Sequence, residues 1–273
     1  MKALLRHLRL GQDMKRPNRS TAKDFVIAAA AKSVQGSHCV ANEDCFRLDE
    51  RRGVFVIADG LGGHCGGERA SRLAAAGLMH EADFLLAQRR PEDSLAGAMA
   101  QAFSNVNQSI LSVRECLPRL RRMGASAVMA IANFGRLYVV GVGDCRVYLV
   151  RGEQAERMTV DQTLVQLDVD AGLGKAPSQT ARSERVLWTY LGDPKFEPPR
   201  IRCAELRPSD RLILVTNGIT RVVRDGLIGR LDATNENAVG TATNVVSDAL
   251  ALGTTDDATC VAASFAAASS GSV

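Results

Sequence analysis

Short β-type runs lie on either side of two long helical patterns, and that grouping excludes most architectures open to a chain of 273 residues. The runs cover residues 25–30, 54–58, 126–131, 137–142, 146–150, 211–215 and 259–265, each apolar and bounded by glycine or polar turn residues. The helical patterns cover 68–89, rich in Ala and Leu, and 91–114, whose Pro-Glu-Asp opening suits a helix N-terminus. Strands, then a helix pair, then a strand meander over 136–159 point to α+β and an antiparallel sheet, and away from alternating βαβ units. A further helix is expected over 235–252, and residues 171–183 read as a loop. With no internal repeat and no interior linker, one folded unit over residues 24–266 is expected, between a basic extension (1–23) and a short C-terminal tail (267–273).

The charge pattern narrows the function classes. Residues 1–23 carry seven Lys or Arg against the single Asp13, so the net charge of +4 belongs to that extension. A nucleic-acid module would carry a basic stripe interleaved with aromatics on its folded body, so no nucleic-acid partner is expected. The longest apolar run, 25–31, is far short of the roughly 20 residues of a membrane span. Lys2, Arg6 and Arg9 interrupt what would have to be the apolar core of a secretory signal, so the expected location is the cytoplasm. Seven cysteines, an odd number with no CxxC pair, fit reduced thiols in such a compartment.

Acidic and amide residues recur where apolar runs stop: Ala58-Asp59-Gly60, Val142-Gly143-Asp144, Thr216-Asn217-Gly218 and Thr255-Asp256-Asp257, with Asn42-Glu43-Asp44 in another loop. Any one of these, taken alone, reads as the start of a turn. Converging carboxylates on rigid strand ends are also how oxygen ligands bind hard cations such as Mg²⁺ or Mn²⁺. No Cys/His or Ser/His arrangement suggests a protein nucleophile. His64, after Gly62-Gly63, reads as a loop residue more readily than as a ligand in oxygen-rich surroundings.

Taken in order, Asn42-Glu43-Asp44, Asp59-Gly60-Leu61-Gly62-Gly63-His64, Gly143-Asp144-Cys145-Arg146 and Asp256-Asp257-Ala258-Thr259 resemble the PP2C (PPM) family of metal-dependent Ser/Thr phosphatases, bacterial type. Gly67-Glu68-Arg69-Ala70-Ser71, Gly124-Ala125-Ser126 and Thr159-Val160-Asp161 extend the likeness over roughly residues 24–266. The resemblance implies an antiparallel β-sandwich flanked by helix pairs, with cations in a cleft at one end. It also implies two Mn²⁺ or Mg²⁺ ions and a third, weaker site. Asp59 would bridge the two ions, Glu43 and the Gly60 carbonyl would complete one, Asp256 and Asn217 the other, and Asp144 would serve the third. Asp44 would hydrogen-bond water on the ions. The implied substrate is a phosphorylated protein, and the implied partner is an opposing Ser/Thr kinase.

Two positions depart from the family pattern. The phosphate-binding arginine expected four residues before Glu43 is Cys39, and the usual Ser-Asp-Gly is Thr216-Asn217-Gly218, a neutral amide for a charged ligand. A milder change is Gln162 after Asp161. Two readings stay open: a phosphatase of reduced activity in which His38, Arg182 or Arg185 takes over part of the phosphate contact, and a degenerate relative acting as a regulatory binding module.

Overall fold

The computed structural model describes residues 25–62, 65–88, 92–172, 186–233 and 237–268. Among the described residues, ten strands form two five-stranded sheets, antiparallel throughout. One sheet has the order β1 (Phe25–Val34), β10 (Ala258–Ala267), β9 (Arg211–Val215), β6 (Arg146–Arg151), β7 (Gln154–Arg157). The other runs β2 (Asp44–Asp49), β3 (Val54–Leu61), β4 (Gly124–Asn133), β5 (Arg136–Val142), β8 (Ile201–Glu205). Helices α1 (Cys65–Ala87) and α2 (Glu92–Cys116) cover the outer face of the second sheet; α4 (Asn217–Thr220), α5 (Asp225–Ala233) and α6 (Ala238–Ala251) lie on the side of the first. The short α3 (Leu164–Asp170) follows β7.

Central strands read as unbroken apolar runs because each of their faces is buried against a different layer. In β3, Phe55 and Ile57 enter the core between the sheets, while Val54, Val56 and Ala58 pack under α1 and α2. In β9, Leu212 and Leu214 face the inter-sheet core, and Ile213 and Val215 pack under α4 and α6 with Ile219, Val245 and Val246. β6 and β10 alternate in the same way, with Val147, Leu149, Val261 and Phe265 inside, and Tyr148, Val150 and Cys260 outside. The expected α+β sandwich with flanking helices is therefore the observed four-layer arrangement. It adds strands β2 and β8 and the short helices α3, α4 and α5, which the sequence patterns did not mark.

Register brings the acidic segments to one end. Asp44, opening β2, pairs with Asp59 near the end of β3, and Asp59 pairs with Ser126 near the start of β4. Arg146, opening β6, pairs with Val215 at the end of β9, and Val215 pairs with Cys260 near the start of β10. The β5–β6 turn, the β9–α4 junction and the loop before β10 consequently share one edge of the sandwich.

Candidate metal centre

Asp59 leaves the end of β3 with its carboxyl desolvated by the surrounding protein. Burial first, then the Asp44, Asp144 and Asp256 carboxylates, hold its proton affinity well above the ordinary aspartate range. The next residue has to be glycine. A Cβ on Gly60 would stand 2.1 Å from the Gly67 carbonyl oxygen, and one on Gly67 would stand 2.2 Å from Glu43 Oε2. The two glycines let the start of α1 approach β3 closely enough to leave room for the Glu43 side chain. The Gly60 N–H donates to the Glu43 carbonyl at 3.1 Å, tying the two loops together. Burial and the Asp257, Asp256 and Glu68 charges raise the Glu43 carboxyl to about 7.

Asp44 is fastened on one side only. Its Oδ2 accepts from the Thr216 hydroxyl at 2.8 Å and the Thr259 hydroxyl at 2.6 Å, while its Oδ1 is buried without a partner. Burial raises this carboxyl to about 7, against the pull of the two hydroxyls. Asp144 repeats the motif. Gly143, at φ 90°, turns the chain sharply after β5, and a Cβ there would meet the Ser126 side chain at 2.6 Å. The Ser126 hydroxyl then accepts from the backbone N–H groups of Asp144 and Cys145, both at 2.9 Å. Asp144 Oδ2 accepts from the Asn217 amide at 3.2 Å, and Oδ1 is again buried and unpartnered. Gln162 laces the same turn: its side chain accepts from Gly143 N–H, and its own N–H donates to the Gly143 carbonyl, both at 2.8 Å.

The paired aspartates before β10 divide their work. Asp257 is buried and accepts from the backbone N–H of Gly36 at 2.8 Å and of Glu43 at 2.7 Å, so it clamps the Glu43 loop to β10. Asp256 faces the cleft, where Arg221 donates to its Oδ2 and the Cys39 thiol to its Oδ1 at 3.6 Å. Burial, with Asp257 and Asp256 adding to it, pushes the Cys39 thiol up to about 12. It is a neutral thiol at physiological pH, neither a nucleophile nor a substitute for a guanidinium. His38 is exposed, lines the same cleft, and its backbone N–H donates to the Thr255 carbonyl at 3.1 Å. Arg182, Arg185 and His64 lie outside the described residues.

The structure therefore places Glu43, Asp44, Asp59, Gly60, Asp144, Asn217 and Asp256 at one end of the sandwich. Residues missed from the sequence are Thr216 and Thr259, which fix Asp44; Asp257, the clamp; and Arg221. The threonines were readable in principle, because Thr216 directly precedes Asn217 and Thr259 closes the Asp256-Asp257-Ala258-Thr259 motif at the start of β10. Among the described residues, no three His, Cys, Asp or Glu side chains close on a single point. Asp44, Asp144 and Asp256 instead accept from hydroxyl, amide and guanidinium donors. Two buried, unpartnered carboxylate oxygens nevertheless call for a positive partner. An all-oxygen donor set of carboxylates, a backbone carbonyl and an amide fits a hard divalent cation.

Known proteins resemble this chain in sequence and in fold. A family model described as Protein phosphatase 2C matches residues 27–258. The Serine/threonine protein phosphatase PstP of Mycobacterium tuberculosis is 31% identical over 204 residues, covering 75% of this chain and 38% of that protein. This chain thus spans well under half the length of that relative. The Serine/threonine phosphatase stp of Listeria innocua is 26% identical over 188 residues, 68% of this chain and 74% of that one. A crystal structure of the catalytic domain of PstP in complex with two manganese ions superposes with a TM-score of 0.77 at 29% identity, covering 89% of this chain and all of that one. On these matches, and on the sandwich that carries them, the chain belongs to the protein phosphatase 2C family.

Proposed function

We propose that this chain hydrolyses phosphoserine and phosphothreonine in proteins, using Mn²⁺ or Mg²⁺ held at the acidic end of the sandwich. The observation that carries the reading is the pair of orphaned, buried oxygens, Asp44 Oδ1 and Asp144 Oδ1, in a family whose member PstP has been crystallised with two manganese ions. Asp59 would bridge two ions, with Glu43 and the Gly60 carbonyl on one, Asp256 and Asn217 on the other, and Asp144 serving a third, weaker site. Bound there, divalent cations acidify water and stabilise charge on a phosphoryl group under in-line attack.

The chain's own part is positional. Thr216 and Thr259 lock one oxygen of Asp44, so its free oxygen is aimed and available to accept a hydrogen bond from the attacking water. Asp257 fixes the Glu43 loop, and Ser126 with Gln162 fixes the Asp144 turn. Because the phosphoryl group passes to water, no covalent intermediate on the protein is required. That agrees with a Cys39 thiol kept neutral.

The working unit in this reading is residues 24–266, with 1–23 and 267–273 as appended segments. The substrate would be the product of a Ser/Thr kinase, and the setting bacterial signalling in the cytoplasm. No helix among the described residues is long and apolar enough to cross a membrane. The test is release of phosphate from a phosphothreonine peptide with millimolar Mn²⁺. Turnover abolished by EDTA and restored by Mn²⁺ is expected. Cation binding without turnover would leave the regulatory-module reading instead.

Asn217 gives a sharper prediction, because it acts here as a hydrogen-bond donor to Asp144. Asn217→Asp removes that donor and sets a second carboxylate against the first, so the variant should melt lower than the parent in EDTA. With Mn²⁺ the order should reverse, and the half-saturating Mn²⁺ concentration should fall, because one more charged oxygen faces the cation. Melting curves in EDTA and in Mn²⁺ check both halves; a shift of the same sign in both would remove position 217 from the cation site.

A further inference from the structure

The cleft beside the acidic strand ends has a volume of about 790 Å³, and among the described residues three arginines, Arg146, Arg157 and Arg221, line it. Two of them are already engaged in holding the fold. Arg146 grips Asp161 through Nε and Nη2 and reaches Asp225 at 2.7 Å, and Arg157 approaches the same two carboxylates at 3.4 Å. This network, which also takes in the Tyr148 hydroxyl, joins β6 and α5 to the segment before α3. Its guanidinium groups are not available to a ligand.

Arg221 is placed differently. It follows α4 directly, its N–H bonded to the Asn217 carbonyl at 3.0 Å, and Asn217, Gly218 and Ile219 are buried. The root of the side chain is fixed while its head stands in the cleft. Its ion-pair partner among the described residues is Asp256, and both side chains are open to solvent, at 30% and 40% exposure. Its charge also reaches the carboxylates of the half-buried Asp59 and the buried Asp144. On the other oxygen of Asp256 sits the Cys39 thiol, so the guanidinium and the thiol flank one carboxylate, and only the guanidinium carries charge.

We propose that Arg221 is the phosphate-contacting residue of this cleft, exchanging Asp256 for the substrate's phosphate when Asp256 takes up a cation. The inference rests on the phosphatase reading above. An ion pair this exposed is weak, so giving it up costs little. A guanidinium offers a planar fork of N–H donors that matches two phosphate oxygens at once, which neither the thiol of Cys39 nor the imidazole of His38 can do. The anion and the cation thus replace the internal pair together: Asp256 turns to the positive ion and Arg221 to the negative one.

The test compares wild type with Arg221→Ala and Arg221→Lys in two measurements. The first is competitive inhibition of Mn²⁺-dependent p-nitrophenyl phosphate turnover by inorganic phosphate; the second is calorimetric titration with Mn²⁺ alone. Arg221→Ala should raise both the phosphate inhibition constant and KM by about 10–100-fold, with a smaller change in kcat, as expected for losing charge-assisted hydrogen bonds. Its Mn²⁺ affinity should be unchanged or tighter, because a competitor for Asp256 has gone. Arg221→Lys, which keeps the charge and loses the fork, should give a smaller rise, and it carries the comparison if the alanine variant does not fold. Equal phosphate inhibition in wild type and the folded variants overturns the proposal, as does Mn²⁺ affinity that falls in step with phosphate affinity, which would make Arg221 a support of the cation site. Absence of any Mn²⁺-dependent turnover in wild type is a separate result: it removes the phosphatase reading, and this proposal with it.

Discussion

Asp59→Asn should reduce Mn²⁺-dependent phosphate release by about 10²–10³-fold or more, because cation stabilisation of a phosphoryl transition state is worth several kcal/mol and each 1.36 kcal/mol is tenfold in rate. The change is nearly isosteric, so the fold should survive it. Asp59 pairs in register with Asp44 on one side and Ser126 on the other, and in the absence of a cation its carboxyl suffers burial and three neighbouring carboxylates. Neutralising it should therefore raise the melting temperature in EDTA while removing activity in Mn²⁺. Stability gained together with function lost separates a cation ligand from a residue needed only for packing. Unchanged turnover, or a melting temperature that falls in EDTA, would place Asp59 outside the site.

The second large effect is on stability against pH. In the cation-free protein the Asp44 and Glu43 carboxyls are raised to about 7 by burial, from ordinary values near 4, and Asp59 and Asp144 are raised as well. A group whose folded value lies above its unfolded value contributes stability that is complete below the unfolded value and is lost as pH rises through the folded one. Without a cation the protein should therefore lose stability between about pH 4 and pH 7 and stay low above that. Asp44 alone accounts for a few kcal/mol, on the order of 5–10 °C in Tm for a domain of this size. The carboxyls of Asp49 and Asp225, held low after their arginine and tyrosine hydrogen bonds outweigh burial, act in the opposite sense at more acid pH and leave this window clear. Mn²⁺ binds the ionised form, so its addition should raise Tm much more at pH 8 than at pH 5. Melting curves across that range with EDTA and with Mn²⁺ check it; a flat or rising EDTA profile would contradict the account.

What could be read in the sequence follows from how each element is buried. Strands β3, β4, β6, β9 and β10 are apolar on both faces and stood out as runs. Strand β2, Asp-Cys-Phe-Arg-Leu-Asp, and strand β8, Ile-Arg-Cys-Ala-Glu, are the two edges of one sheet, partly or largely exposed, and their polar residues erase the signal that burial would impose. Helices α3, α4 and α5 are too short for a 3.6-residue period to register. Asp59 and Asp144 were legible because each follows an apolar run, and Asp256 because it stands just ahead of one; Glu43 and Asp44 were legible only from the order of the motifs. Arg221 was not: one basic residue among 34 Lys and Arg gains meaning only when α4 carries it to Asp256, 35 residues further along the chain. Asp257 looked like a twin of Asp256, yet burial makes one a clamp and leaves the other facing the cleft.

Calorimetric titration of the EDTA-stripped protein with Mn²⁺ at pH 8, run beside Asp59→Asn, asks whether divalent cations bind where β3 ends. At least two ions bound saturably to wild type, and the loss or marked weakening of both in the variant, are expected, because in the proposed centre Asp59 would be the oxygen ligand they share. Saturable binding that is the same in both proteins, or none in wild type, would contradict a cation centre built on the end of β3.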